Sequence, residues 1–301
     1  MTASAAGIYG NYGQANYSAA KLALYGFGRS LAKEGQKRNV LCNVIAPLAG
    51  SRITETVMPK EVLAALKPEF VAPVVAYLCH ESCQETGGLF ELGAGYCAKL
   101  RVERAEGVLL RVEDDSFTPE AVAAAFPKAF DFGRTVAYPD SIGETDWKGL
   151  VERSLRLSGP NQQSATPVGL KDAVCLVTGA GGGLGRAYAL RLARSGARVI
   201  VNDFNAKAAD AVVAEIVAAG GRAVADHHSV TDAGAGEMIE DIIKRFGRID
   251  AVINNAGILR DKSFAKMTDA EWSAVQATHL LGTFKVTKAA WPHMQRQRYG
   301  R

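Results

Sequence analysis

Ala173-Val-Cys-Leu-Val-Thr178 is a short apolar run, and it leads directly into Gly179-Ala-Gly-Gly-Gly183-Leu-Gly185. The following Gly183–Ser195 carries Leu184, Ala187, Tyr188, Leu190 and Leu192 at helical spacing. A strand, a glycine-rich turn and a helix in this order form the context that a dinucleotide fingerprint requires. Glycines allow a tight turn and let backbone N–H groups approach a pyrophosphate at a helix N-terminus.

The alternation continues downstream. Arg198–Asn202 reads as a second strand, with Asp203 just past its end. Ala206–Ala219 reads as a helix stopped by Gly220-Gly221. Arg222–Asp226 is a third strand, Ala235–Phe246 a helix, Asp250–Asn254 a fourth strand and Asp269–Gln295 a long helical stretch. Strands alternating with helices predict an α/β fold, a Rossmann-like doubly wound parallel sheet. Asp203 lies 24 residues after Gly179. A carboxylate there accepts hydrogen bonds from an adenosine ribose and repels a 2′-phosphate, which favours NAD over NADP. Arg186 and Arg198 are nearby cations that would soften this preference. The alternative for Asp203 is a solvated strand-end residue.

Residues 1–98 read as a second unit. Gln14–Gln36 is helical, with Ala15, Ala19, Ala23, Gly26 and Ser30 on one face. Asn39–Ile45 is expected as a strand, Pro47 as the start of a loop, and Glu61–Leu66 and Pro73–Ser82 as helices. Gly88–Leu92 is a last short strand. Residues 99–171 read as a linker with two short helices, one opening at Thr118-Pro119 and one over Asp146–Leu157. Residues 172–301 complete the division.

Composition narrows the function classes. The 301 residues are 48% hydrophobic with a net charge of +4, too small and dispersed to imply nucleic acid. No apolar run approaches the roughly 18 residues of a membrane span. The opening residues lack a secretory pattern, and Arg298-Tyr-Gly-Arg301 is not a peroxisomal address. Cys42, Cys79, Cys83, Cys97 and Cys175 show no disulfide framework, which suggests a reducing compartment. Cys79-His-Glu-Ser-Cys83 reads either as a metal cluster or as two cysteines sharing a helix face; no metal site is expected, since structural zinc usually shows two spaced ligand pairs.

Tyr17-Ser-Ala-Ala-Lys21 puts a phenol and an ammonium one helical turn apart. A phenol is a poor base at neutral pH, and an adjacent cation favours its ionised form. Together with the glycine motif and Asn254-Asn-Ala-Gly257, this pair resembles the signature of the short-chain dehydrogenase/reductase family. In that family the glycine motif comes first, so the halves here stand in permuted order. Several longer strings narrow the resemblance: Gly10-Asn-Tyr-Gly-Gln-Ala-Asn-Tyr-Ser-Ala-Ala-Lys21, Ile45-Ala-Pro-Leu-Ala-Gly-Ser-Arg52, Cys79-His-Glu-Ser-Cys83, Gly87-Gly-Leu-Phe-Glu-Leu-Gly-Ala-Gly95 and Asn255-Ala-Gly-Ile-Leu-Arg-Asp-Lys262. These resemble the tandem dehydrogenase units of the fungal peroxisomal multifunctional enzyme type 2 family. Residues 1–98 correspond to the C-terminal, catalytic half of a first unit, and residues 172–301 to the N-terminal, NAD-binding half of a second.

The resemblance implies NAD-dependent oxidation of (3R)-3-hydroxyacyl-CoA to 3-ketoacyl-CoA in peroxisomal fatty-acid β-oxidation. Ser4, Tyr17 and Lys21 would be catalytic, with His279 standing where the family has a relay asparagine. Gly179, Gly183, Leu184, Gly185, Asp203, Asn255, Ala256, Gly257, Pro47 and Thr54 would hold the cofactor. His228 stands where the family usually has an aspartate near the adenine. Family strand order is 3-2-1-4-5-6-7, and strand 5 falls between the end of this sequence and its start, so that central strand is expected to be largely missing. The implied partners are a fatty acyl-CoA substrate and either a second copy in a homodimer or a complementary dehydrogenase half. The implied compartment of the parent protein is the peroxisome. Two alternatives stay open: another family oxidoreductase acting on a 3-oxoacyl thioester or a steroid, and a nucleotide-binding fragment without turnover.

Overall fold

The computed structural model describes residues 1–49, 61, 66–133 and 136–301. The chain divides into two compact units. The first comprises Met1–Leu109 with Ala125–Leu157, and the second Leu110–Ala124 with Ser158–Arg301. The connecting residues 99–171, read from sequence as a linker, are therefore shared out between the two units.

In the first unit, α1 (Ala5–Tyr9) is capped by the Ser4 side chain, which accepts the Ala6 N–H. Helix α2 (Ala15–Gly35) turns Ser18, Lys21, Tyr25, Gly28 and Ala32 inward at spacings of three and four, the pitch of one helix face. The small-residue face of Ala15, Ala19, Ala23, Gly26 and Ser30 lies outward. At Gly28 the helix passes so close to the sheet that an added Cβ would lie 2.6 Å from Val44 Cγ2.

Strand β1 is Val44–Leu48. The sequence reading put it earlier and ended it before Pro47, whereas Pro47 lies inside it, opposite Leu92. The tolerance has a hydrogen-bond reason. Val44 donates toward the β2 side, to Gly88 O, while Ile45 donates the other way, to Met1 O. Pro47, two residues beyond Ile45, shares its side, so its missing N–H faces away from β2 and costs that ladder nothing. Met1–Ala3 lie along this outer side, with Thr2 bridged in parallel to Ile45.

Helix α3 (Ala72–Leu78) is shorter than expected. It stops before Cys79, so Cys79 and Cys83 do not share a helix face; Cys79 is exposed and Cys83 buried. The His80 ring accepts the Ser82 N–H and closes the turn there. Strand β2 (Leu89–Gly93) runs parallel to β1 and antiparallel to β3 (Tyr96–Leu100). The hairpin β2–β3 was not anticipated. Its two-residue turn, Ala94-Gly95, has φ of 51° and 80°, the left-handed pair that a tight hairpin requires.

The connecting residues carry more order than a linker. β4 (Arg104–Ala105) pairs with β5 (Val136–Ala137). Helix α4 (Pro119–Ala129) starts as expected, with the Thr118 hydroxyl accepting the Ala121 N–H and proline at the first position. Helix α5 (Trp147–Leu155) is capped by Asp146.

The second unit is the predicted doubly wound sheet. Its strands are β6 (Val174–Thr178), β7 (Arg198–Asn202), β8 (Arg222–Asp226) and β9 (Ala251–Ile253), all parallel in the order β8-β7-β6-β9. The helices are α6 (Gly183–Arg194), α7 (Ala206–Ala218), α8 (Gly234–Phe246), α9 (Asp269–Gln276) and α10 (Thr283–Gln297). Strand alternation sorts the core into two layers. Val174, Leu176 and Ile200 pack on α8 and α10. Cys175, Val177, Val199 and Val201 pack on α6 and α7. All five residues of β6 are buried, as a central parallel strand covered on both faces demands. On the outer side of β9, Arg301 donates to Asp250 O and accepts from Val252 N.

Asp250, immediately before β9, is a buried carboxylate. It accepts the Val174 N–H at 2.8 Å and a paired hydrogen bond from Arg248. Removing it orphans a buried N–H and a guanidinium together. Asp250→Ala is expected to cost about 2 kcal/mol in urea unfolding, while Arg248→Ala, which leaves the Val174 bond intact, is expected to cost less. Equal costs would assign the effect to the exposed ion pair.

Candidate functional site

The glycine turn is held by its neighbours at very short range. Gly179 has φ of 63° and Gly183 of 52°, both in the left-handed region that disfavours side chains. A Cβ on Gly179 would lie 2.8 Å from Ala256 Cα, and one on Gly185 would collide with Gly179 O and lie 2.6 Å from Asn255 Nδ2. The helix start thus lies directly against the end of β9.

A threonine and an asparagine make that junction. Thr178 Oγ1 accepts the backbone N–H of Asn255 at 3.0 Å and of Ala256 at 3.1 Å. Asn255 Nδ2 returns two bonds, to Thr178 O at 2.9 Å and Gly179 O at 3.1 Å. Asn255 therefore positions the turn.

Asp203 stands at the end of β7, facing the turn. Its Oδ2 accepts the Gly181 N–H at 3.0 Å and its Oδ1 the Asn205 N–H at 2.9 Å. A carboxylate has about four acceptor sites, so ribose hydroxyls can still be bound. The two cations expected to soften its preference are engaged elsewhere: Arg186 with both oxygens of Glu215, Arg198 with Asp172.

A cleft of about 420 Å³ opens along the strand ends, lined by Gly179, Asn202, Asp203, Phe204, His228, Ser229, Val230, Thr231, Asn255, Ala256, Gly257, Ile258 and Thr278. It lies outside the carboxyl ends of parallel strands, where doubly wound sheets bind ligands. Gly183, Leu184 and Gly185 open α6 beside it. The close-packed glycine turn, the anchored carboxylate and a cleft in the usual ligand range fit a dinucleotide.

His279 lies in a π-helical segment, Ala277–Gly282, a distortion frequent at functional sites. Its Nε2 is 2.8 Å from Ile258 O and 3.0 Å from Ile258 N. A Cβ on Gly257 would fall 2.5 Å from its ring. His279 thus braces the loop that lines the cleft.

His228 hydrogen-bonds Asp226 through Nδ1 at 2.8 Å. That bond raises its pKa above the ordinary histidine value, with burial opposing it. Its contribution to stability is therefore fully present below about pH 6.5 and is lost as pH rises through the raised folded value.

The catalytic candidates lie in the first unit. Lys21 Nζ sits 5.5 Å from the centroid of the Tyr17 ring and donates to Thr2 O at 2.9 Å. Tyr17 is partly exposed. Ser4 follows the same short extended segment and caps α1. Pro47 lies in β1. Thr54 lies outside the described residues. Sequence reasoning passed over Asn202 and Asp226, for which the one signal was a polar residue ending an apolar strand, and Thr231, for which it offered none.

The model of the short chain dehydrogenase family matches residues 1–65 and 173–301. The chain belongs to this family. The peroxisomal hydratase-dehydrogenase-epimerase of Neurospora crassa is 52% identical over 100% of this chain and 33% of its own length. The protein of that name from Saccharomyces cerevisiae is 44% identical over 99% of this chain, again 33% of its own. The peroxisomal multifunctional enzyme type 2 of Mus musculus is 56% identical over 50% of this chain and 20% of its own. The chain spans about a third of the length of the two fungal relatives.

Gly185→Ala is expected to destabilise the second unit by about 2 kcal/mol through overpacking. Gly182→Ala, at an extended φ with open space around it, is expected to be nearly neutral. Thermal or urea unfolding checks both, and equal effects would mean that the close approach at Gly185 is relieved at little cost.

Proposed function

We propose that this chain carries the parts of an NAD-dependent dehydrogenase acting on (3R)-3-hydroxyacyl-CoA in peroxisomal fatty-acid β-oxidation. The observation that carries the reading is the cleft itself, with its glycine turn and Asp203, in a chain that matches a hydratase-dehydrogenase-epimerase over its whole length. The names of the fungal and mouse relatives support the peroxisome as the compartment of the parent protein.

The glycine turn and the start of α6 would hold the pyrophosphate, and Asp203 the adenosine ribose. Bound NAD would supply the hydride acceptor. Tyr17, as phenolate, would remove the proton of the substrate hydroxyl while the carbon loses hydride. Lys21 Nζ stands 5.5 Å from the centroid of the Tyr17 ring, one helical turn further on. The Ser4 hydroxyl would hydrogen-bond the reacting oxygen. Hydride transfer needs both residue sets around one nicotinamide, with reacting atoms about 3–3.5 Å apart. A complementary dehydrogenase half, from a second copy or from a longer protein, would complete each site.

NAD is expected to bind more tightly than NADP in calorimetric titration, by about tenfold, the equivalent of about 1.4 kcal/mol. Asp203→Ala should narrow that ratio. Equal binding of the two cofactors by the unaltered chain, or an unchanged ratio in the variant, contradicts the assignment of Asp203.

Turnover is read as NADH formation with (3R)-3-hydroxyacyl-CoA, for the chain alone and with complementary halves added. Complementation is expected to raise the rate, and Tyr17→Phe to lower it by about 10²-fold or more. NAD binding without turnover in any mixture would favour a purely nucleotide-binding role. Preference for a 3-oxoacyl thioester or a steroid would favour another oxidoreductase of the family.

A further inference from the structure

His228 lines the cleft beside Asn202 and Asp203 and is held from several sides. Its Nδ1 lies 2.8 Å from Asp226 Oδ2, and its Nε2 lies 3.6 Å from Glu237 Oε2 on α8. Asp226 is itself fixed, because its Oδ1 accepts from Asn202 Nδ2 at 2.6 Å and from the His228 N–H at 3.2 Å. Asn202 also donates to His228 O at 2.9 Å. The ring therefore has one orientation, bound to a carboxylate that cannot readily move away.

The charged groups around the ring are acidic. Asp226 faces it from β8, Glu237 and Asp241 from α8, and Asp203 lines the same cleft from the end of β7. His227, its neighbour, pairs instead with Asp210 on α7 at 3.1 Å and does not line the cleft. The acidic surroundings favour imidazolium at His228. A positive charge there offsets Asp203 in a cleft whose ligand carries phosphates.

We infer that His228 determines how tightly the cleft holds an anionic nucleotide, binding it more strongly when the imidazole is protonated and less strongly when it is neutral. The inference rests on the dinucleotide reading of the cleft. Its sign is fixed by Coulomb's law: deprotonation removes the only positive charge of the Asp203–Asp226–His228 group, so affinity falls as pH rises. A single charge acting across a partly exposed, screened cleft changes affinity by about threefold.

The probe is NAD, because the 2′-phosphate of NADP titrates near pH 6 and would confuse the reading. Calorimetric titration of the full chain at about pH 6 and about pH 8.5, at constant ionic strength, is expected to give a dissociation constant about threefold larger at the higher pH. His228→Asn should abolish that ratio, and His227→Asn should keep it. His279, which braces the Gly257–Ile258 side, is unchanged in both variants, so the difference between them isolates His228. If His228→Asn fails to fold, His228→Gln, checked by circular dichroism, takes its place. A flat pH response in the unaltered chain overturns the inference, as does a ratio that survives loss of His228. Failure to bind NAD at either pH overturns the dinucleotide reading itself, whereas binding without pH dependence overturns this inference alone.

Discussion

Thr178 is the point on which the second unit turns. Its hydroxyl oxygen, almost wholly buried, accepts two backbone N–H groups from the chain leaving β9. Asn255 reciprocates on the two carbonyls that open the glycine turn. Without that exchange, several polar groups would be buried unpaired, each at a cost of about 1–3 kcal/mol. With it, the ends of β6 and β9 are held together, and the glycine turn has to pass through the narrow space between them. The glycines at 179 and 185 are the consequence, since a Cβ at either would strike Ala256 or Asn255. The cleft exists because this junction keeps the strand ends fixed and open to one side.

Electrostatics then divides the cleft. Asp203 is tied to the turn through Gly181, and the nearest arginines are spent on Glu215 and Asp172. A ligand phosphate at the ribose would thus meet a carboxylate without a free Arg186 or Arg198 to neutralise it. Further along, Asn202, Asp226 and His228 form one hydrogen-bonded group. In the first unit, the equivalent economy appears at Lys21, which supports Tyr17 and also holds the extended segment through Thr2 O. A single ammonium there links the Tyr17 ring to the segment that carries Ser4.

Much of the second unit was legible in sequence, because its signals are local and agree with one another. Arg198–Asn202 and Arg222–Asp226 were located to the residue, each an apolar run between a glycine and a polar exit. Pro47 misled, because a proline ends a strand only where its N–H is needed, and that depends on which neighbour lies on which side. The β2–β3 hairpin was missed because its turn begins with Ala94, which adopts a left-handed φ that alanine does not advertise. Among site residues, the glycines, Asp203 and Asn255 belong to a compact motif. The role of Thr178 and the coupling of Asn202 to His228 are contacts between residues 24 to 78 positions apart, and no local pattern announces them. No helix of the described residues is long and apolar enough to cross a membrane.

The central claim is that the junction of β6 with β9 builds a dinucleotide site in the second unit. Amide NMR of the full chain during titration with NAD tests it most directly, since each backbone N–H reports its own surroundings. The account predicts that the largest shifts fall on Gly179, Gly181, Gly183, Leu184 and Gly185, with smaller ones at Asp203 and at Asn255–Gly257. Shifts that leave the glycine turn unmoved while others change, or saturable binding mapped wholly to another surface, would contradict it.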